Sequence, residues 1–94
     1  MLTFVWDNAK ASSNVTKHQV RFDYAARAFL DNHRIVIQDS KRDYGEVRYI
    51  TYALIEKRVF VVSYTMRGQD IRLISARKGN DREQKRYHSV RTES

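Results

Sequence analysis

Three arginines on one hairpin carry the first chemical signal in this chain. Tyr64-Thr65-Met66-Arg67-Gly68-Gln69-Asp70-Ile71-Arg72-Leu73-Ile74-Ser75-Ala76-Arg77 reads as a strand, a tight turn at Gly68 and a second strand ending in Arg77. A guanidinium presents a planar fork of donors that matches phosphate oxygens and cannot be titrated away. Repeated at 67, 72 and 77 on a rigid element, it suits a polyanionic partner. Regular alternation sends Arg72 and Arg77 to opposite faces, with one of them pairing with a carboxylate such as Asp70 or Glu46; a bulge near Ser75 would re-aim Arg77.

Groups able to move protons are few. Lys17 and His18 close a predicted helix, Glu46 begins a predicted strand near Arg48, and Tyr64 adjoins the arginine hairpin. Arg48 would hold Glu46 ionised and poised as a base. Each has a plainer reading too: His18 as a packing or capping residue, Glu46 as half of a surface ion pair. Tyr49, Tyr52, Tyr64 and Tyr87 are interleaved with basic residues. Most read as half-buried sheet tyrosines with wet hydroxyls, and Tyr64 is the one expected to stack on an unpaired base. His33 and His88 stand at no metal-ligand spacing, so neither a metal nor another cofactor is expected.

These groups suffice for one reaction in particular. Ribose carries its own nucleophile, so RNA can be cut without a metal or an activated water. A base removes the 2′-hydroxyl proton, arginines stabilise the dianionic phosphorane, and an acid protonates the leaving 5′-oxygen. In that scheme Lys17, His18, Glu46, Arg67 and Arg77 are the catalytic candidates, and Arg48, Tyr64 and Arg72 the substrate-binding ones. A non-catalytic module that holds RNA or DNA, or docks an acidic protein, uses the same basic face.

Charge supports an anionic partner. The net charge is +7 on 94 residues, and residues 57–94 carry 10 Lys+Arg against 4 Asp+Glu, whereas residues 1–56 carry 8 against 7. Such a basic half is the electrostatic footprint of a nucleic-acid or anionic-surface binder. Cysteine is absent, which excludes a disulfide framework and a thiolate metal site. Met1 to Asp7 lacks the basic start and apolar run of a secretory signal, and no apolar stretch is long enough to span a bilayer. A cytoplasmic protein without a membrane role is expected.

The elements that must position these residues follow from the pattern. Phe4-Val5-Trp6 is a short strand, and Asp7 caps a helix running to about Lys17. Asp23 caps a second helix, with Ala25, Ala26, Phe29 and Leu30 on its apolar stripe. Ile35-Val36-Ile37 is a strand; Lys41 to Gly45 is a polar turn. From Glu46 to Ile55 the chain alternates, with Val47, Tyr49, Thr51, Ala53 and Ile55 on one side. Glu56-Lys57 turns it into the nearly continuous apolar run Val59–Tyr64, a central strand. Asn80 and Glu83 form a capping box that opens a charged C-terminal helix. The order β-α-α-β-β-β-β-α predicts a small single α+β domain over residues 1–94, an antiparallel sheet flanked by helices.

The ordered set Phe4-x-Trp6-Asp7, Lys10-Ala11, Asn14-x-x-Lys17-His18, Val20-x-Phe22, Ala25-Ala26, Phe29-x-Asp31, Gly45-Glu46-x-Arg48, Val61-Val62-x-Tyr64-Thr65-x-Arg67-Gly68, Arg72-x-Ile74-Ser75-Ala76-Arg77 and Glu83-x-x-x-Tyr87 resembles the BrnT family of bacterial toxin components. The resemblance implies a RelE-like fold and metal-independent RNA cleavage that arrests growth. It also implies neutralisation by a BrnA-like antitoxin, a ribbon-helix-helix DNA-binding protein, in a dimer or heterotetramer that represses its own operon through operator DNA. Two positions depart from the family pattern. Gln19 stands where a glycine commonly follows the Lys-His pair, so either a left-handed residue is strained there or the helix ends differently and moves Lys17 and His18. A glycine common midway along the Arg48 strand is replaced near Tyr52-Ala53.

Overall fold

The apolar run Val59–Tyr64 has almost no polar face to show to water, and it lies at the centre of the sheet. The computed structural model describes residues 2–93. Its strands are β1 (Thr3–Trp6), β2 (Ile35–Asp39), β3 (Arg48–Ile55), β4 (Arg58–Arg67) and β5 (Asp70–Lys78), in the order β1-β5-β4-β3-β2. The β4–β5 hairpin turns at Gly68 with φ +62°, and β3–β4 turns through Glu56 and Lys57 at φ 50° and 71°. Two successive positive φ values make a turn whose twist matches that of the strands it joins. One pair departs from the antiparallel expectation: β1 runs parallel to β5, with Phe4 beside Ile71 and Trp6 beside Leu73. A parallel pair needs a long crossover, and here everything between β1 and β5 serves as one.

One face of the sheet carries the main core. Phe4 and Trp6 from β1, Ala53 and Ile55 from β3, Phe60, Val62 and Tyr64 from β4, and Ile71, Leu73 and Ala76 from β5 pack against Val20, Phe22, Ala25, Ala28 and Phe29. The second helix differs from its expected form. It starts two residues early as α2 (Phe22–Ala25), with Arg21 rather than Asp23 at the cap, and tightens into a 3₁₀ segment over Ala26–Leu30. The reason is the spacing of the buried residues: Phe22, Ala25 and Ala28 recur every three positions, which is the 3₁₀ period. That rotation sends Leu30, expected on the apolar stripe, out to 76 % exposure.

The opposite face is covered at one end by α3 (Asp81–Glu93). Its capping box forms as expected, Asn80 N–H donating to Glu83 and Glu83 N–H donating to the Asn80 side chain, both at 2.9 Å. The helix is pinned by fully buried Tyr87, whose hydroxyl donates to Asp31. Asp31 also accepts from the backbone N–H of Leu54 and of His33. Burial alone would raise its pKa, but these donors outweigh it and hold the carboxyl below its ordinary value.

Helix α1 (Asn8–His18) runs beside β5, past the end of β1. Asp7 caps it by accepting from Lys10 N–H at 3.0 Å. Its exit is the strained alternative: Gln19 adopts φ 60°, ψ 33° and donates its N–H to Val15. The helix therefore ends where a glycine would end it, and Lys17 and His18 keep their places in the last turn. Relieving the strain should show directly. Gln19→Gly is expected to stabilise the domain by about 1 kcal/mol, a rise of roughly 4–8 °C in the thermal midpoint for a domain of this size; an unchanged or lower midpoint would contradict it.

Candidate functional site

A one-residue slip in the β4–β5 ladder builds the site. Ser63 pairs with Ser75 but Tyr64 pairs with Leu73, so Ile74 is an extra residue in β5. Leu73 and Ala76, three apart, are both buried on the core face. The bulge is thus realised, and regular alternation does not hold: Arg72 pairs across to Thr65 and Arg77 to Val61, on one shared face. That face continues through β3, where Arg48 pairs with Thr65, Ile50 with Ser63 and Tyr52 with Val61. Arg48, Arg67, Arg72 and Arg77 all project from the side of the sheet away from the main core.

Glu46 sits among them, in the loop before β3 rather than in the strand where it was expected. Its carboxylate accepts from Arg48 Nε at 3.0 Å and meets Arg67 at 3.5 Å. The Arg48 hydrogen bond is the main reason its pKa lies below the ordinary carboxylate value; partial burial opposes it, and the charges of Arg48, Arg67 and Lys10 add to it. Arg48 is further fixed over the Tyr44 ring, 4.0 Å from its centroid, and the Tyr44 hydroxyl donates to Asp39 at 2.9 Å. Arg72 contrasts with its neighbours. It is partly buried and makes neither an ion pair nor a side-chain hydrogen bond among the described residues.

Lys17 and His18 approach from the sheet edge. With Lys10, Ser13, Asn14, Ile74 and Ser75 they line a cavity of about 220 Å³ where α1 meets the bulge. Asn14 fixes this junction: its side chain donates to Val20 O at 2.9 Å and Ala76 O at 2.8 Å, and accepts from Ala76 N–H at 3.0 Å. An edge strand would satisfy Ala76 in the same way, so α1 is locked to β5 with its lysines beside the bulge. Lys10 was not among the candidates read from the sequence. Its spacing was a signal, because Lys10, Asn14 and Lys17 stand at helical intervals on one face of α1.

Arg77 and Tyr64 have other engagements. Arg77 is gripped by Glu83 through two 2.8 Å hydrogen bonds, not by Asp70 or Glu46, and this partner raises its pKa above the ordinary arginine value. Its side chain remains 41 % exposed. Tyr64 points into the core, 7 % exposed, stacked on Tyr49 with centroids 5.4 Å apart and met edge-on by Phe29 at 5.0 Å. Its sequence neighbours face the arginines but its own ring faces away, occupied on both sides. An RNA base has no access to it in this arrangement. Burial raises its pKa, with the Arg34 charge opposing.

Among the described residues no three His, Asp or Glu side chains gather as metal ligands, and no helix is long and apolar enough to cross a membrane. The arrangement can bind phosphate through several guanidiniums, with a held carboxylate on the same face and lysines at its edge.

Comparison with known proteins adds the family. No curated protein matches the chain. A family model described as the ribonuclease toxin BrnT of type II toxin–antitoxin systems matches residues 6–83. That span holds every element from the end of β1 to the first turn of α3, with all of the arginines, lysines and the glutamate just described. The chain therefore belongs to the BrnT family of ribonuclease toxins of type II toxin–antitoxin systems.

Proposed function

We propose that this toxin cuts RNA by metal-independent attack of the ribose 2′-oxygen on the adjacent phosphate, at the sheet face between the bulge and Glu46. The observation that carries the reading is Arg72: a partly buried guanidinium with no carboxylate partner among the described residues, flanked by paired Arg48 and Arg67. A partly desolvated guanidinium is a strong donor to an anion, and a phosphate bound there supplies the counter-charge. Arg72, with Arg67 and Arg48, stabilises the extra negative charge of the phosphorane. Glu46 or the Lys17/His18 pair takes the 2′-proton, and a member of the same set returns a proton to the 5′-oxygen. Arg77 extends the positive face. The antitoxin is a BrnA-like ribbon-helix-helix protein, and the complex, a dimer or heterotetramer in the cytoplasm, represses its own operon.

One observation favours a second reading. Two arginines keep the Glu46 carboxylate ionised, which makes it a weak base. If no other group deprotonates the 2′-hydroxyl, the face holds RNA without cutting it. Incubating the purified, partner-free chain with a defined RNA in EDTA separates the two. Products with 2′,3′-cyclic phosphate and 5′-hydroxyl ends are expected. Intact RNA that shifts on a gel at low salt would replace the catalyst with a binding module.

A further inference from the structure

A second concavity lies on the same face, beyond the arginines. It occupies about 420 Å³ between the β2–β3 hairpin and the start of α3, within the ~300–1,000 Å³ usual for small-ligand sites. We propose that it is a nucleobase subsite, in which a base flanking the cleaved phosphate stacks on Tyr52 and is closed over by Arg86; the inference rests on the ribonuclease reading above.

The floor is apolar and flat: Ile37 from β2, with Ile50 and Tyr52 from β3. Tyr52 shares its face with Arg48, four residues earlier, so the two lie about 13 Å apart along the strand. The groove is continuous with the arginine cluster, because Asp39 lines it and pairs in register with Arg48. Arg86 sits 5.7 Å from the Tyr52 ring centroid, exposed and in no ion pair among the described residues. It can swing aside and re-close on a flat ligand. An aromatic ring with a mobile guanidinium is a sequence-tolerant platform for a single base.

The rim identifies a neutral base rather than an acidic group. Asp39 and Glu83 line the groove together with Lys41, Arg82 and Arg86, so charges of both signs rim an apolar floor that itself offers an anion no counter-charge. Neither sign repels a base edge, which carries donors as well as acceptors. The Asn80 side-chain oxygen is used by the capping box, leaving its NH₂ to donate to a ring nitrogen or carbonyl. The phosphates on either side of such a base would meet Arg48 at one end and Arg82 at the other.

The test is abasic scanning. An RNA is made with one abasic nucleotide at each position around the mapped cut, and a 2′-deoxy substitution at the cut keeps it intact for binding. Wild-type protein should lose about tenfold in affinity when the base at one flanking position is removed. Tyr52→Leu should bind intact RNA about tenfold more weakly and be indifferent to that removal. Arg86→Gln, at an exposed position that cannot unfold the chain, should show the same loss of sensitivity at a few-fold level. Variants that match wild type at every abasic position, while still binding and cutting RNA, would overturn the subsite and leave the ribonuclease reading standing. Variants that lose antitoxin affinity but not RNA affinity would overturn it in favour of a protein-docking groove. Wild-type protein that neither binds these RNAs nor cuts the unsubstituted one would overturn the ribonuclease reading, and the subsite with it.

Discussion

Asn14→Ala should destabilise the domain by about 3–5 kcal/mol, the largest effect expected from any single polar substitution in it. Three buried hydrogen bonds end on this side chain, to Val20 O, Ala76 O and Ala76 N–H. Removing it strands all three backbone groups in a place water does not reach, since Asn14 itself is 4 % exposed. Each orphaned group costs on the order of 1–3 kcal/mol, reduced by whatever relaxation the α1–β5 junction allows. Against a total stability of roughly 5–15 kcal/mol, that leaves a partly unfolded protein at growth temperature. Thermal or urea unfolding followed by circular dichroism measures it, and a loss under about 1 kcal/mol would mean that water enters and replaces the side chain. Asn14→Asp sharpens the point. The carboxylate keeps the acceptor for Ala76 N–H but turns the donor toward two carbonyls into a charge. Its folded-state pKa is raised above the unfolded value, so the acid is tolerated protonated and the deficit relative to wild type grows as pH rises from 4 to 7.

What the sequence showed and what it hid divide by the range of the interactions. The Asp7 cap, the Asn80–Glu83 box and the turns at Glu56-Lys57 and Gly68 are settled by hydrogen bonds within four residues, and each was readable in place. The strand pattern of Thr51, Ala53 and Ile55 was readable because one face is buried and the period is two. The bulge at Ile74 was not, because it is defined by register against β4; with it went the side on which Arg77 emerges. Tyr64 was misplaced for the same reason in reverse: it stands three residues before Arg67 in the chain, but alternation turns its ring inward. Glu83 was read as a cap and is also the partner of Arg77, six residues away, since one carboxylate has lone pairs enough for both. Parallel pairing of β1 with β5 joins residues some 67 positions apart, Phe4 to Ile71, and nothing local announces it. The arginine hairpin was visible as chemistry before its geometry was, because guanidinium spacing is a property of sequence and facing is a property of the sheet.

Arg72→Ala should lower RNA cleavage by about 10²–10³-fold while leaving the fold intact, the largest effect expected on function. Arg48 and Arg67 share Glu46, and Arg77 is chelated by Glu83, so part of each charge is already neutralised within the protein. Arg72 has no such partner among the described residues, and its field falls undiminished on whatever binds between Thr65 and the bulge. Truncating it removes a phosphate donor without orphaning a carboxylate, so the thermal midpoint should move little, within the ~0.5 kcal/mol typical of such sites. Arg77→Ala makes the opposite case: Glu83 loses its two strong donors, and stability should fall along with activity. Two readouts tie the Arg72 effect to phosphate. The slope of log affinity against log salt should become shallower by about 0.7, the loss of one contact to a single strand. Arg72→Lys should restore the salt slope but little of the rate, because an ammonium keeps the charge and lacks the fork that fits a trigonal-bipyramidal phosphorane. Full activity in Arg72→Ala would move the reacting phosphate past the bulge to the Arg77 end of the face, where Glu83 already neutralises part of the charge.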